Sequence, residues 1–161
     1  MEGVALRHLS PADADAYYAL VDRNRVHLTR HGDYSFAIDA TPELIRNQLL
    51  QIPPETTAFG IWVDESLAGR VDLIRHTLTR FGIGYWLGEA FIGRGVATAA
   101  VAAAIAHARD RYGATDIFAG VTHGNERSVA LLTRLGFCDV AQFDNYTRFH
   151  VTLRYEGVQF E

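Results

Sequence analysis

The sequence predicts an α+β domain built around a mixed β-sheet. Strand candidates in the middle of the chain follow one another through short polar turns, which is typical of antiparallel pairing. A strand, a glycine-rich loop and an alanine-rich helix come next, and a further strand, helix and strand pair complete the order. No internal repeat or linker interrupts the 161 residues, so we expect residues 1–161 to form one domain.

The first third of the chain combines one strand with two helices. Alternating apolar and polar residues over 4–9 predict an edge strand. Ser10, followed by proline and an acidic first turn, predicts a helix start, and Thr41 repeats this pattern for a helix that reaches about Gln51. Between them, residues 24–34 are polar and include two histidines. We interpret this segment as a loop that is either simply solvated or lines a substrate site.

Strands and two further helices make up the remainder of the chain. We predict strands over residues 58–63, 67–74, 81–87, 116–121, 139–143 and 148–155. An alanine-rich helix lies between the third and fourth of these and ends at Gly113. A last helix follows the fourth strand, is capped by Asn125 and ends at Gly136. Its predicted apolar positions are Val129, Leu132 and Leu135.

The stretch from Gly84 to Thr98 carries most of the chemical information. The start of a helix leaves four backbone N–H groups without partners and carries partial positive charge, which suits a phosphate group. Gly93 and Gly95 lack a Cβ, so the backbone there can approach a bulky anion. Glycines also precede helices in ordinary strand-to-helix connections, so the loop by itself leaves both interpretations open.

Composition excludes several classes of function. The net charge is −4 and no basic block is present, so we expect no nucleic-acid partner. Cys138 is the single cysteine and the histidines are scattered, so we expect neither a disulfide nor a metal site. The sequence has no secretion-signal pattern and no apolar run long enough to cross a bilayer, so we expect a cytoplasmic protein with no membrane partner. Dinucleotide binding would require a third glycine where Thr98 or Ala99 stands.

Two blocks of the sequence resemble the GNAT acetyltransferases. The first is Gly93-Arg94-Gly95-Val96-Ala97-Thr98 after Gly84-Tyr85-Trp86-Leu87, and the second is Asn125-Glu126-Arg127-Ser128 followed by Leu135-Gly136-Phe137. Together with Asn24-Arg25-Val26-His27-Leu28, they make the chain similar to the branch of RimJ/RimL-type ribosomal-protein N-acetyltransferases. The likeness covers nearly the whole chain. It implies a GNAT-like mixed sheet that is mostly antiparallel and carries helices on both faces.

The resemblance implies acetyl-CoA as the co-substrate and no metal. Its pyrophosphate would lie on the backbone N–H groups of residues 93–98, and its pantetheine arm would lie between the strand before the loop and the strand over 116–121. A backbone N–H near Trp86 or Leu87 would serve the acetyl carbonyl oxygen. Asn125 would bind the pantetheine arm and Ser128 would place a hydroxyl near the sulfur, although both residues also suit an ordinary helix start. The implied cofactor-binding residues are Trp86, Leu87, Gly93, Arg94, Gly95, Val96, Ala97, Thr98, Asn125 and Ser128.

The sequence offers several candidates for the general base. Many relatives carry a glutamate where this chain has Gly82. Asp72 is our candidate base, because a carboxylate in an apolar strand is costly unless it has a purpose or a partner. Ser128, whose hydroxyl the resemblance places near the sulfur, is the candidate acid. If Val71 and Leu73 face the core, Asp72 faces the acceptor, but a salt bridge to an arginine is the alternative. The competing bases are His27, His31, His76, Glu89 and an ordered water.

Two classes of function remain open at this stage. The first is an acetyl-CoA-dependent N-acetyltransferase, in which a primary amine of a protein N-terminus or of a small molecule attacks the thioester directly in a ternary complex. The second is a catalytically silent acyl-CoA-binding domain that acts as a sensor or scaffold, an alternative that Gly82 keeps open. A homodimer is one assembly that would suit either class.

Overall fold

A computed structural model describes residues 3–30 and 36–153 of the chain. The strands of this part are β1 (Val4–His8), β2 (Thr56–Val63), β3 (Ser66–Arg75), β4 (Arg80–Leu87), β5 (Asp116–Thr122), β6 (Cys138–Gln142) and β7 (Tyr146–Thr152). They form one sheet in the order β1-β2-β3-β4-β5-β7-β6. Every neighbouring pair is antiparallel except β4 and β5, which are parallel. The predicted α+β class with a mixed, mostly antiparallel sheet is therefore confirmed.

The helices of the described residues are α1 (Ala14–Arg23), α2 (Arg25–Leu28), α3 (Phe36–Asp39), α4 (Pro42–Leu50), α5 (Val96–Tyr112) and α6 (Glu126–Arg134), with 3₁₀ turns at Pro11–Asp13 and Glu89–Phe91. The prediction of a loop over residues 24–34 was wrong for α2, while residues 31–35 lie outside the described part. The Arg25 guanidinium donates hydrogen bonds of 2.7, 2.9 and 2.7 Å to the carbonyl oxygens of Ala37, Ile38 and Ala40. These contacts hold α2 and α3 together, and no local pattern shows them.

Helices cover both faces of the sheet, as predicted. On one face, α5 packs through Ala100, Ala104 and Ala108, which are completely buried. Their small side chains let the helix lie close to Val71 and Leu73 of β3, which belong to the same apolar cluster. On the other face, α1 and α4 enclose a second apolar cluster.

The predicted helix ends are confirmed, and one buried face differs from expectation. Gly113 ends α5 in the left-handed conformation, with a φ of 66°. After α6, Gly136 has a φ of 89° and the N–H of Phe137 donates to the Leu132 carbonyl oxygen at 3.0 Å. Val129 is 37% exposed, whereas Leu131 is buried beside Leu132. The predicted spacing was therefore wrong at Val129, because the helix turns its adjacent leucines toward the sheet.

The pairing between β4 and β5 is short, and this positions the site. Only Arg80, Phe81 and Gly82 of β4 pair with β5. The pairing of β4 with β3 continues to Leu87. Beyond Gly82 the two parallel strands separate, so a gap opens in the sheet as the resemblance implied. None of the helices in the described residues has the length and apolar character that a membrane crossing requires.

Candidate active site

The strand β4 presents alternate backbone groups to the gap. The N–H of Gly88 donates to the carbonyl oxygen of Ala68 at 2.7 Å. Backbone groups alternate in direction along an antiparallel pair. The N–H and C=O of Trp86 therefore face β3, whereas the N–H and C=O of Leu87 face away from it. The Leu87 carbonyl oxygen meets His27 Nε2 at 3.0 Å. Of the two predicted N–H donors, Leu87 is therefore the one that points into the gap.

The glycine-rich loop follows β4 and leads into α5. Gly93 and Gly95 have φ values of 78° and 74°, a left-handed backbone conformation that residues with a Cβ rarely adopt. No atom lies within 4 Å of the place that a Cβ on Gly93 would take. Gly95 is the residue before the first turn of α5, where backbone N–H groups have no intrahelical partners. The loop therefore forms an open cradle of N–H donors beside the gap.

The start of α6 meets β4 on the α5 face of the sheet. The side-chain oxygen of Asn125 caps α6 by accepting from the N–H of Ser128 at 3.3 Å. The Ser128 hydroxyl forms a short hydrogen bond with the hydroxyl of Tyr85 from β4. Burial raises the pKa of Tyr85, and the hydrogen bond to Ser128 partly opposes that shift. Tyr85 therefore keeps its proton near neutral pH, and either of the two hydroxyls can be the donor in this hydrogen bond.

A cavity of about 300 Å³ lies on the opposite face, between β3, β4 and the helices α1 and α4. Its lining residues are Tyr17, Gln48, Arg70, Asp72, Gly84, Tyr85 and Trp86. Arg70 Nε donates to both carboxylate oxygens of Asp72, at 2.9 and 3.1 Å, and Arg70 Nη1 donates to the Tyr17 hydroxyl at 3.3 Å. The predicted salt bridge to an arginine is thus present, and Asp72 also lines the cavity.

The electrostatic balance at Asp72 is set mainly by burial. Loss of solvent around the carboxylate raises the pKa of Asp72, and the charge of Arg70 and its hydrogen bond lower it by less. Asp72 therefore accepts a proton more readily than an ordinary aspartate does. Burial also raises the pKa of Tyr17, so the Tyr17 hydroxyl stays protonated beside the ion pair.

The competing bases lie in different surroundings. His27 is engaged with Leu87, and Glu89 is exposed beyond the end of β4. His76 is exposed, and its Nε2 lies 2.9 Å from the place that a Cβ on Gly82 would take. His31 lies outside the described residues. Among the candidate bases that lie in the described residues, Asp72 alone lines the cavity.

Sequence reasoning missed the contact between Tyr85 and Ser128. Alternation along β4 was the signal that would have found it, because Tyr85 falls on the same face as the helix that carries Ser128. It also missed that Arg70 joins Asp72 to Tyr17. No group of three or more histidine, cysteine, aspartate or glutamate side chains suited to a metal ion occurs in the described part of the chain.

Comparison with known proteins gives related sequences and related folds. A protein of Bacillus subtilis (strain 168) named "Putative ribosomal N-acetyltransferase YdaF" is 28% identical over an alignment of 149 positions, which covers 86% of this chain and 79% of that protein. A solved structure of RimL, the ribosomal L7/L12 alpha-N-protein acetyltransferase in complex with coenzyme A, matches with a TM-score of 0.83 at 19% identity. The match covers 95% of this chain and 96% of the RimL chain.

A further solved structure is the microcin C7 self-immunity acetyltransferase MccE in complex with acetyl-CoA and AMP. It has a TM-score of 0.78 at 20% identity, covering 95% of this chain and 94% of that chain. The predicted resemblance to RimJ/RimL-type proteins is confirmed by YdaF and RimL.

The family itself follows from a match along most of the sequence. Residues 4–138 match the family described as acetyltransferase (GNAT) domain. The enzymatic interpretation and the use of acetyl-CoA are thereby confirmed. This chain belongs to the GNAT acetyltransferase family.

Proposed function

We propose that this enzyme transfers the acetyl group of acetyl-CoA to a primary amine by direct attack in a ternary complex. The observation that carries the proposal is the gap between β4 and β5, which has a cradle of N–H groups at one end and a different set of side chains on each face. An acetyl group lying in the plane of the sheet at this gap is accessible from both sides.

Acetyl-CoA lies along the free edge of β4. Its pyrophosphate accepts hydrogen bonds from the N–H groups of residues 93–98, where the left-handed glycines keep the cradle open. The pantetheine arm extends beside β4 like an added strand, with Asn125 at its side. The N–H of Leu87 points toward the acetyl carbonyl oxygen and stabilises the negative charge that develops there.

The two faces supply the two proton transfers. The amine nitrogen attacks the thioester carbon from the cavity side and loses its proton to Asp72 as the carbon–sulfur bond breaks. On the other face, the Ser128 hydroxyl gives its proton to the departing thiolate. When Tyr85 is the donor in its hydrogen bond with Ser128, the serine proton is free to point at the sulfur.

The acceptor is an amine at the end of a small molecule or of a peptide chain. A cavity of about 300 Å³ has room for a terminal residue or a small amine and not for a folded surface. RimL and YdaF are named for ribosomal substrates, which supports a protein N-terminus as one such acceptor. The function is tested by thiol release from acetyl-CoA with a panel of small amines and N-terminal peptides, with the products identified by mass. Absence of release with every amine, together with no binding of acetyl-CoA, would overturn the proposal.

The cofactor cradle is tested by replacing Gly95 with valine. At a φ of 74° a β-branched residue is strained and shifts the loop, so CoA affinity should fall by about tenfold or more. Gly113→Val is a matched control, because Gly113 has a φ of 66° at the opposite end of the same helix. Calorimetry on both folded variants should show weakened CoA binding for Gly95→Val alone. Equal CoA affinity in the two variants would contradict the assignment.

The acid is tested by removing the two hydroxyls on the α5 face, one at a time and together. Ser128→Ala should lower kcat by about ten- to a thousandfold with little change in the KM for acetyl-CoA. Tyr85→Phe should lower kcat by less, because Ser128 keeps its proton. The double variant should be no worse than Ser128→Ala, since Tyr85 acts through the serine. Full turnover in Ser128→Ala would leave this residue as part of a helix cap only.

The base is tested by Asp72→Asn, which keeps the shape of the side chain and removes its charge. Because burial raises the pKa of Asp72, activity of the parent enzyme should fall with decreasing pH earlier than for an ordinary aspartate. The variant should lose this acidic limb and about a hundredfold in turnover for all amines. Asp110→Asn is the control, since Asp110 forms an exposed pair with Arg109. A variant with a raised acceptor KM and unchanged kcat would reduce Asp72 to a binding residue.

A further inference from the structure

Three successive backbone groups are held where β4 ends. The Leu87 carbonyl oxygen meets His27 Nε2 at 3.0 Å, the Gly88 N–H donates to Ala68 at 2.7 Å, and the Glu89 N–H donates to Asn24 Oδ1 at 2.9 Å. Two of these three contacts come from side chains one helical turn apart, at the junction of α1 and α2. The end of β4 is therefore fixed by a segment about sixty residues earlier in the chain.

Asn24 is suited to holding the end of β4 because both the nitrogen and the oxygen of its side-chain amide form hydrogen bonds. Within the described residues it is the one polar side chain in the buried core, with 7% exposed. Its Nδ2 donates to the Leu20 carbonyl oxygen at 2.8 Å while its Oδ1 accepts from Glu89. A buried amide is tolerated when its hydrogen bonds are satisfied, and here the partners are backbone groups of two different elements.

The contact with Leu87 defines the tautomer of the His27 ring. A carbonyl oxygen only accepts, so His27 Nε2 carries the proton and donates it. His27 Nδ1 is buried and has no hydrogen-bond partner. The chain therefore leaves one ring nitrogen unsatisfied at a position where the other ring nitrogen holds the Leu87 carbonyl.

We propose that Asn24 and His27 are positioning residues for acetyl transfer, which act by fixing the end of β4. This inference rests on the proposed function, in which the Leu87 N–H binds the acetyl carbonyl oxygen. Because the N–H and C=O of one strand residue point the same way, anchoring the Leu87 carbonyl also sets the direction of its N–H. Anchoring Glu89 sets where the loop before Gly93 begins.

The test compares two amides at position 27 that differ by one methylene. In His27→Gln the amide nitrogen reaches the place of Nε2 and can donate to Leu87, whereas in His27→Asn it is too short. We expect His27→Asn to lower kcat by about ten- to a hundredfold, because small misplacements at a reacting centre have effects of this size. His27→Gln should restore most of that loss. His107→Asn is the control, since His107 also has a buried ring nitrogen without a partner but lies near the far end of α5.

A structural role alone would give a different result. If His27 only stabilised the fold, the two amides would differ in melting temperature and not in kcat measured on folded protein, and that outcome would overturn the proposal. Equal kcat values for the Gln and Asn variants would also overturn it. In a double-variant cycle, His27→Asn should cost less in an Asn24→Ala background than in the parent, because both side chains hold the same strand end. Strict additivity would separate Asn24 from His27 and contradict their joint role.

Failure of the proposed function remains distinguishable from failure of this inference. If the parent enzyme acetylates none of the amines, the proposed transfer to these acceptors is contradicted. The affinity for acetyl-CoA then tests whether His27 positions the end of β4. Calorimetry with acetyl-CoA should show weaker binding for His27→Asn than for His27→Gln, because the loop starts at the strand end that His27 holds. Equal affinities in that experiment would overturn the positioning role.

Discussion

The separation of β4 from β5 beyond Gly82 is the constraint on which the site depends. Backbone N–H and C=O groups in a protein interior need partners, and a strand that leaves its neighbour turns alternate groups toward the space between them. The Leu87 carbonyl finds His27, while its N–H points in the same direction. A ligand with amide groups in an extended chain matches this edge in the same way as an added strand does. The proposed cofactor site therefore follows from the sheet topology before any side-chain chemistry is considered.

Alternation along β4 divides the chemistry between the two faces of the sheet. Tyr85 points toward α6 and Ser128, whereas Gly84 opens onto the cavity beside Asp72. The proposed acid, Ser128, and the proposed base, Asp72, thus lie on opposite faces of the strand. A group placed in the sheet plane reaches both, which suits a reaction that removes a proton from the amine and supplies one to the thiolate.

Local signals in the sequence predicted most elements, and contacts distant in sequence account for what they missed. Glycines that adopt left-handed backbone conformations gave the ends of α5 and α6, and Asn125 gave the start of α6. The pairing of Tyr85 with Ser128 joins residues 43 apart, and that of Asn24 with Glu89 joins residues 65 apart. Such pairs depend on how the sheet brings elements together, so neither periodicity nor capping patterns can show them. The same holds for α3, whose carbonyl groups are held by Arg25.

The ion pair with Arg70 is compatible with the proposed role of Asp72 as the base. A buried carboxylate with no partner would bind an ammonium ion strongly and keep the amine protonated, which would prevent attack on the thioester. Arg70 already occupies part of the carboxylate, so Asp72 holds an incoming ammonium less tightly. At the same time, burial raises the pKa of Asp72 and makes it a better proton acceptor than a solvated aspartate. The weaker hold on the ammonium comes from Arg70, and the raised pKa comes from burial against the opposing effect of Arg70. Both favour a neutral amine, which is the form that attacks.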